Sequence, residues 1–116
     1  MTQSARASRD AVEAARTTIA HAIGAEAHEL IFTSGATESN NRAILGLRQA
    51  LVDSGRKNIV CSRLEHKAVL EPVQRLEQEG FPVTWLDANE SGIVSADSVA
   101  AAVNDQTGLV CLMQVN

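Results

Sequence analysis

The stretch Phe32-Thr33-Ser34-Gly35-Ala36-Thr37-Glu38-Ser39-Asn40 joins an apolar run to a helical pattern through a turn of small residues. Leu30, Ile31 and Phe32 read as the end of a buried strand, and from Thr37 onward the apolar spacing reads as helix. The first backbone N–H groups of a helix have no internal partner, and the macrodipole puts partial positive charge there. Gly35 and Ala36 leave the approach open, and the Thr37 hydroxyl adds a donor. Those are the requirements of a phosphate site. The competing reading is a common Ser-Gly turn in which Thr37 only caps its own helix.

Outward from this turn the chain alternates. Helix is predicted over residues 4–23, with Val12, Ala15, Ile19, Ala22 and Ile23 on one face and Gly24 as terminator. Strand is predicted at 30–33 and helix at 37–53, with Ala43, Ile44, Leu47, Ala50 and Leu51 facing inward. A second strand is expected at 58–62, then a helix at 68–79 burying Val69, Val73 and Leu76, with Pro72 tolerated in its first turns. Strand three falls at 83–86, a turn at 89–92, and a short helix capped by Ser95 runs to Val103. Strand four is expected at 109–115. This order predicts an α/β fold with a mostly parallel sheet and flanking helices. The apolar runs at 59–61 and 109–115 fit a sheet covered on both faces. Ligands of open α/β sheets sit at the carboxyl ends of strands. Ser34–Thr37, Glu65-His66 and Gln114-Val115-Asn116 all fall at such ends.

Bulk properties narrow the function classes. The 116 residues suit one small domain, 45% hydrophobic and 21% charged, with a core that must be aliphatic because aromatics are only 3%. A net charge of −4 argues against nucleic-acid or acidic-membrane surfaces. No run of 18 apolar residues exists, and residues 1–16 lack the apolar segment of a secretory signal, so a cytoplasmic location is expected. Cys61 and Cys111 fit no metal spacing and read as buried, reduced thiols; no metal site is expected. His21 and His28 read as solvated.

With the Phe32–Asn40 segment and Glu65-His66-Lys67-Ala68-Val69-Leu70 both in view, the chain resembles the cysteine desulfurases, class V, fold-type I enzymes dependent on pyridoxal 5'-phosphate. Gln78-Glu79-Gly80-Phe81-Pro82-Val83-Thr84, Gly92-Ile93-Val94 and Met113-Gln114-Val115-Asn116 extend the likeness over nearly the whole chain. The resemblance implies that Gly35, Ala36 and Thr37 hold the cofactor phosphate. It implies that His66 lies flat on the cofactor ring and helps move protons, while Glu65 is a neighbour or cap. Asn116 matches the first Asn of a family Asn-Asn-Glu-Thr-Gly segment whose second Asn faces the cofactor, and the resemblance implies Asn116 as a cofactor contact beside that position.

The resemblance also implies what to expect of the chain as a whole. Residues 1–116 match part of a large cofactor-binding domain. The family's ring-pairing Asp, Schiff-base Lys and loop Cys have no counterpart here, since Lys57, Lys67, Cys61 and Cys111 do not fit those motifs. In the family sheet other strands flank the one matching 30–33, so that segment is expected to lack its neighbours. The implied activity removes sulfur from L-cysteine, giving L-alanine, and passes it through an enzyme persulfide to a scaffold protein, as in iron–sulfur cluster assembly. The full protein would be a homodimer, and this chain alone inactive. Three alternatives stay open: a selenocysteine lyase-type or other class V enzyme, a flavodoxin-like module binding phosphate or nucleotide, and a remnant with no ligand.

Overall fold

The computed structural model describes residues 2–114, and it divides into two compact units, residues 1–33 and 34–116. In the first unit, α1 (Gln3–Ala22) begins where Thr2 accepts a hydrogen bond from the Ala5 N–H. It ends as its sequence dictates. Gly24 adopts φ 73°, and the Ala25 and Gly24 amides return to the Ala20 and His21 carbonyls. The helix agrees with the sequence to within a residue. Its apolar stripe does not behave as expected, for Val12, Ile19 and Ile23 stay exposed and only Ala20 is buried. A single 3-10 turn, Ala27–Glu29, follows.

Residues 30–33 form no strand, correcting the expectation of four strands. A strand exists only when a neighbour accepts its backbone bonds. Here the Leu30 carbonyl takes the Arg16 Nη1 donor instead, and the Arg16 guanidinium sits 4.8 Å above the Phe32 ring. Ile31 and Phe32 remain exposed.

The second unit carries α2 (Ala36–Leu45), α3 (Arg48–Ser54), β1 (Asn58–Ser62), α4 (Lys67–Gln78), β2 (Val83–Leu86), α5 (Ala96–Ala102) and β3 (Thr107–Cys111). The helix expected over 37–53 is thus two helices. Around Gly46 the backbone folds so close that a side chain there would strike the Arg42 carbonyl, and Leu47 bonds to Ile44 in a tightened turn. The break still leaves Ile44 and Leu51 buried and Leu47 packed against them, while Ala43 and Ala50 are exposed. Ser95 caps α5 by accepting from the Ser98 N–H, as expected. Pro72 is the sixth residue of α4, past the first turn, and it leaves the Ala68 carbonyl without its helical donor.

The three strands are all parallel, in the order β2-β1-β3. Ile59, Val60 and Cys61 of the central β1 are buried on both faces, as a covered parallel strand should be. On one face Ile59 and Cys61 join Ile44, Leu51, Val73, Leu76 and Phe81 in the core. Edge strand β3 is covered on that face only, since Val110 is 40% exposed. It also starts and stops earlier than the 109–115 expected. Between Asn58 and Ile59 its register slips by one, because Gly108 bulges out and Ile59 pairs with Leu109.

Arg48 opens α3 and grips Glu79, the residue that closes α4, through two parallel contacts of 2.6 and 2.8 Å. These bonds from Arg48, with help from Arg75, hold the Glu79 carboxyl below the usual carboxylate range. A depressed carboxyl stabilises the fold at neutral pH, and that contribution is lost as pH falls through its folded pKa. Glu79→Gln is therefore expected to lower the urea midpoint at pH 7. The difference from the parent chain should shrink as pH falls below the ordinary carboxylate range and through the depressed folded pKa of Glu79. A difference that does not shrink on acidification would refute this.

Candidate functional site

Gly35 occupies the N-cap position of α2 in extended conformation, and no side chain caps the helix. Thr37 lies inside the first turn and is not a cap. Among the described residues its hydroxyl and the N–H groups of Ala36 and Thr37 have no partner. A Cβ placed on Gly35 would meet nothing within 4 Å, so the approach to these donors is open. The turn is braced from the side. Glu38 accepts from both the N–H and the hydroxyl of Ser34, at 2.9 and 2.7 Å. Those bonds from Ser34, with the nearby Arg42, hold its carboxyl below the ordinary range. The result is a short run of outward-facing donors at a positive helix end, suited to an anion.

His66 caps α4. Its Nδ1 accepts from the Ala68 N–H at 3.0 Å, so a ring proton in this arrangement sits on Nε2. The ring is exposed and Nε2 has no partner among the described residues. The cap role expected of an ordinary histidine is present, and it leaves one face and one nitrogen free.

The packing brings these two places to one end. α2 lies against α4, and Arg48, which opens α3 three residues past the last residue of α2, pairs with Glu79 at the end of α4. The two helices therefore run in the same direction, with their N-termini together. That end is the carboxyl edge of the sheet, because α4 leaves the end of β1. The chain passes from β1 to β2 on one side and then returns to β3 on the other. Such a reversal opens a crevice between the carboxyl ends of the two strands concerned, here β1 and β3.

Glu65 builds one wall of that crevice, a role its sequence context did not reveal. It is 8% exposed, and its Oε2 accepts from the Met113 N–H at 2.6 Å. The bond takes up the Met113 N–H just past Cys111, where β3 ends. It couples residues 48 positions apart, so no local pattern could signal it. Met113 and Gln114 therefore arrive beside the start of α4, as their place in the sequence suggested. Asn116 lies outside the described residues. A cavity of about 270 Å³ at the same edge is lined by Ser62, Leu64, the Gly92-Ile93-Val94 loop, Leu112, Met113 and Gln114, and by neither the α2 turn nor His66. His21 and His28 are exposed, as expected. Among the described residues no group of three or more His, Cys, Asp or Glu is placed to hold a metal, and no helix is long and apolar enough to cross a membrane.

Comparison with known proteins identifies the family and the fold. The family described as aminotransferase class-V matches residues 1–116. Cysteine desulfurase IscS of Dictyoglomus turgidum is 48% identical over 111 residues, which is 96% of this chain and 28% of that protein. IscS of Azotobacter vinelandii is 46% identical over 107 residues, 92% of this chain and 26% of that one. Among solved structures, DndA from Streptomyces lividans superposes with a TM-score of 0.82 at 45% identity, covering all of this chain and 33% of that one. SspA in complex with cysteine gives 0.73 at 39% identity, covering 95% and 31%. The chain thus spans about a quarter to a third of the length of the proteins it matches. With a family match over its full length and a parallel α/β sheet to carry it, the chain belongs to the class-V aminotransferases.

Proposed function

We propose that this chain is the phosphate-holding part of a pyridoxal-phosphate-dependent cysteine desulfurase. The observation that carries the reading is the open donor set of Ala36 and Thr37 at the same sheet edge as the exposed His66 ring. The residues fit the group. Two backbone N–H donors, one hydroxyl and a helix dipole match a phosphate dianion, and Gly35 leaves room for it. Bound pyridoxal phosphate supplies an electron sink beside the substrate's α-carbon. The chain's own residues do the rest. Ala36 and Thr37 fix the phosphate end, and Glu38 keeps their turn rigid through Ser34. His66 would stack on the ring of that cofactor and hold or pass a proton at Nε2.

L-cysteine is the substrate that the names of the relatives support, and one neighbour is described in complex with it. Transfer of the sulfur to a scaffold protein for iron–sulfur assembly, a homodimeric whole protein and a cytoplasmic setting belong to the same reading.

The test uses the full-length protein that contains this sequence, titrated with pyridoxal phosphate and followed by absorbance. Thr37→Ala removes one hydrogen bond to a charged group and is expected to weaken binding about tenfold. His66→Asn keeps a good N-cap while deleting the ring, so it separates capping from stacking. It is expected to weaken binding with little change in stability. Unchanged affinity in both variants would overturn the assignment.

A further inference from the structure

We propose that Cys61 and Cys111 form a reversible dithiol–disulfide pair across β1 and β3, oxidised by hydroperoxides. Both cysteines are free thiols, and each is the other's direct partner in the strand register. Directly paired positions of parallel strands point to the same face and stand about 4.8 Å apart at Cα. That lies inside the range of roughly 4.4–6.8 Å that a disulfide spans. The pairing depends on the bulge. Had the register continued unbroken from Asn58 opposite Thr107, Cys61 would face Val110 and the thiols would lie on opposite faces.

The two thiols differ in the ways an attacking and a resolving cysteine must. Cys111 is half-buried on an edge strand, and Cys61 is fully buried at the centre of the sheet. The neighbouring sulfurs act on each other, which holds Cys111 down and, with burial and the nearby Glu65 carboxylate, pushes Cys61 up, while the Cys61 thiol donates to the Ser62 carbonyl at 3.5 Å. Thiolate character therefore gathers on the accessible sulfur. The Cys111 thiolate attacks the O–O bond of the hydroperoxide, forming an S–O bond and releasing hydroxide or alkoxide. The Cys61 sulfur then displaces the sulfenic oxygen as water, and one S–S bond replaces the Cys61 S–H. The peroxide takes up the two electrons. Because the ladder already fixes both backbones, any misfit leaves the bond easily reduced, as a redox-sensing pair in a reducing compartment requires.

The experiment treats the full chain with hydrogen peroxide, followed by intact mass and a non-reducing peptide map. Loss of two hydrogens, a Cys61–Cys111 cross-linked peptide, a monomeric product and full recovery with dithiothreitol are expected. In Cys61→Ser the reaction should stop at a Cys111 sulfenic acid that dimedone captures, while the parent chain labels poorly. Two thiols left reduced, a sulfinic acid at Cys111 beside a reduced Cys61, or dimers linked through Cys111 would each overturn the proposal. Should Cys61→Ser fail to fold, the map of the parent chain decides alone.

Discussion

Replacing Leu76 with alanine is expected to cost about 3 kcal/mol of unfolding free energy. The side chain is wholly inaccessible and belongs to the core cluster shared by α2, α3, α4 and β1. Deleting it forfeits the transfer energy of the lost carbons and leaves a void between rigid helices and a sheet. The cost is large against a total stability of roughly 5–15 kcal/mol for a domain. Trp85, the only tryptophan, lies on β2 and reports unfolding of the same unit. The urea midpoint should fall with little change in slope. Val110→Ala on the uncovered face of β3 serves as control and should change stability by less than about 0.5 kcal/mol. A Leu76→Ala loss below about 1 kcal/mol would show that the core is not packed as described.

Gly108→Ala should cost roughly 2–3 kcal/mol, although it adds one methyl group. A Cβ at this position would press into the Arg56 carbonyl and the Leu51 side chain. The carbonyl is backbone and cannot swing aside, and Leu51 is only 3% exposed and locked in the core. Relief comes only from shifting β3 along β1, which undoes the bulge. The same substitution should therefore abolish the Cys61–Cys111 cross-link under peroxide, while leaving both thiols reactive toward a small alkylating reagent after unfolding. A parent-like urea midpoint together with a parent-like cross-link would contradict the packing around Gly108.

Much of the second unit was legible because its signals are local. β1 and β2 fall where the apolar runs put them, and α4 agrees to a residue because Gly80 and the spacing of Val73 and Leu76 mark it plainly. The Ser34–Thr37 turn was legible for the same reason, since a helix start is a property of a few consecutive residues. Residues 30–33 show the limit. Leu30-Ile31-Phe32 has the composition of a strand, but pairing is settled by distant chain, and here an arginine side chain claims the carbonyl. The break at Gly46 was hidden because Ile44, Leu47 and Leu51 keep helical spacing across it. Glu65 looked like a bystander to His66, since its partner amide lies in the last segment of the chain.

The short link from the Met113 amide to the Glu65 carboxylate has a mechanical outcome. It bolts the polypeptide leaving the edge strand to the residue just ahead of the imidazole. Neither loop can drift without dragging its counterpart. Whatever shifts the chain at Glu65 thereby also sets the heading of the backbone at Gln114.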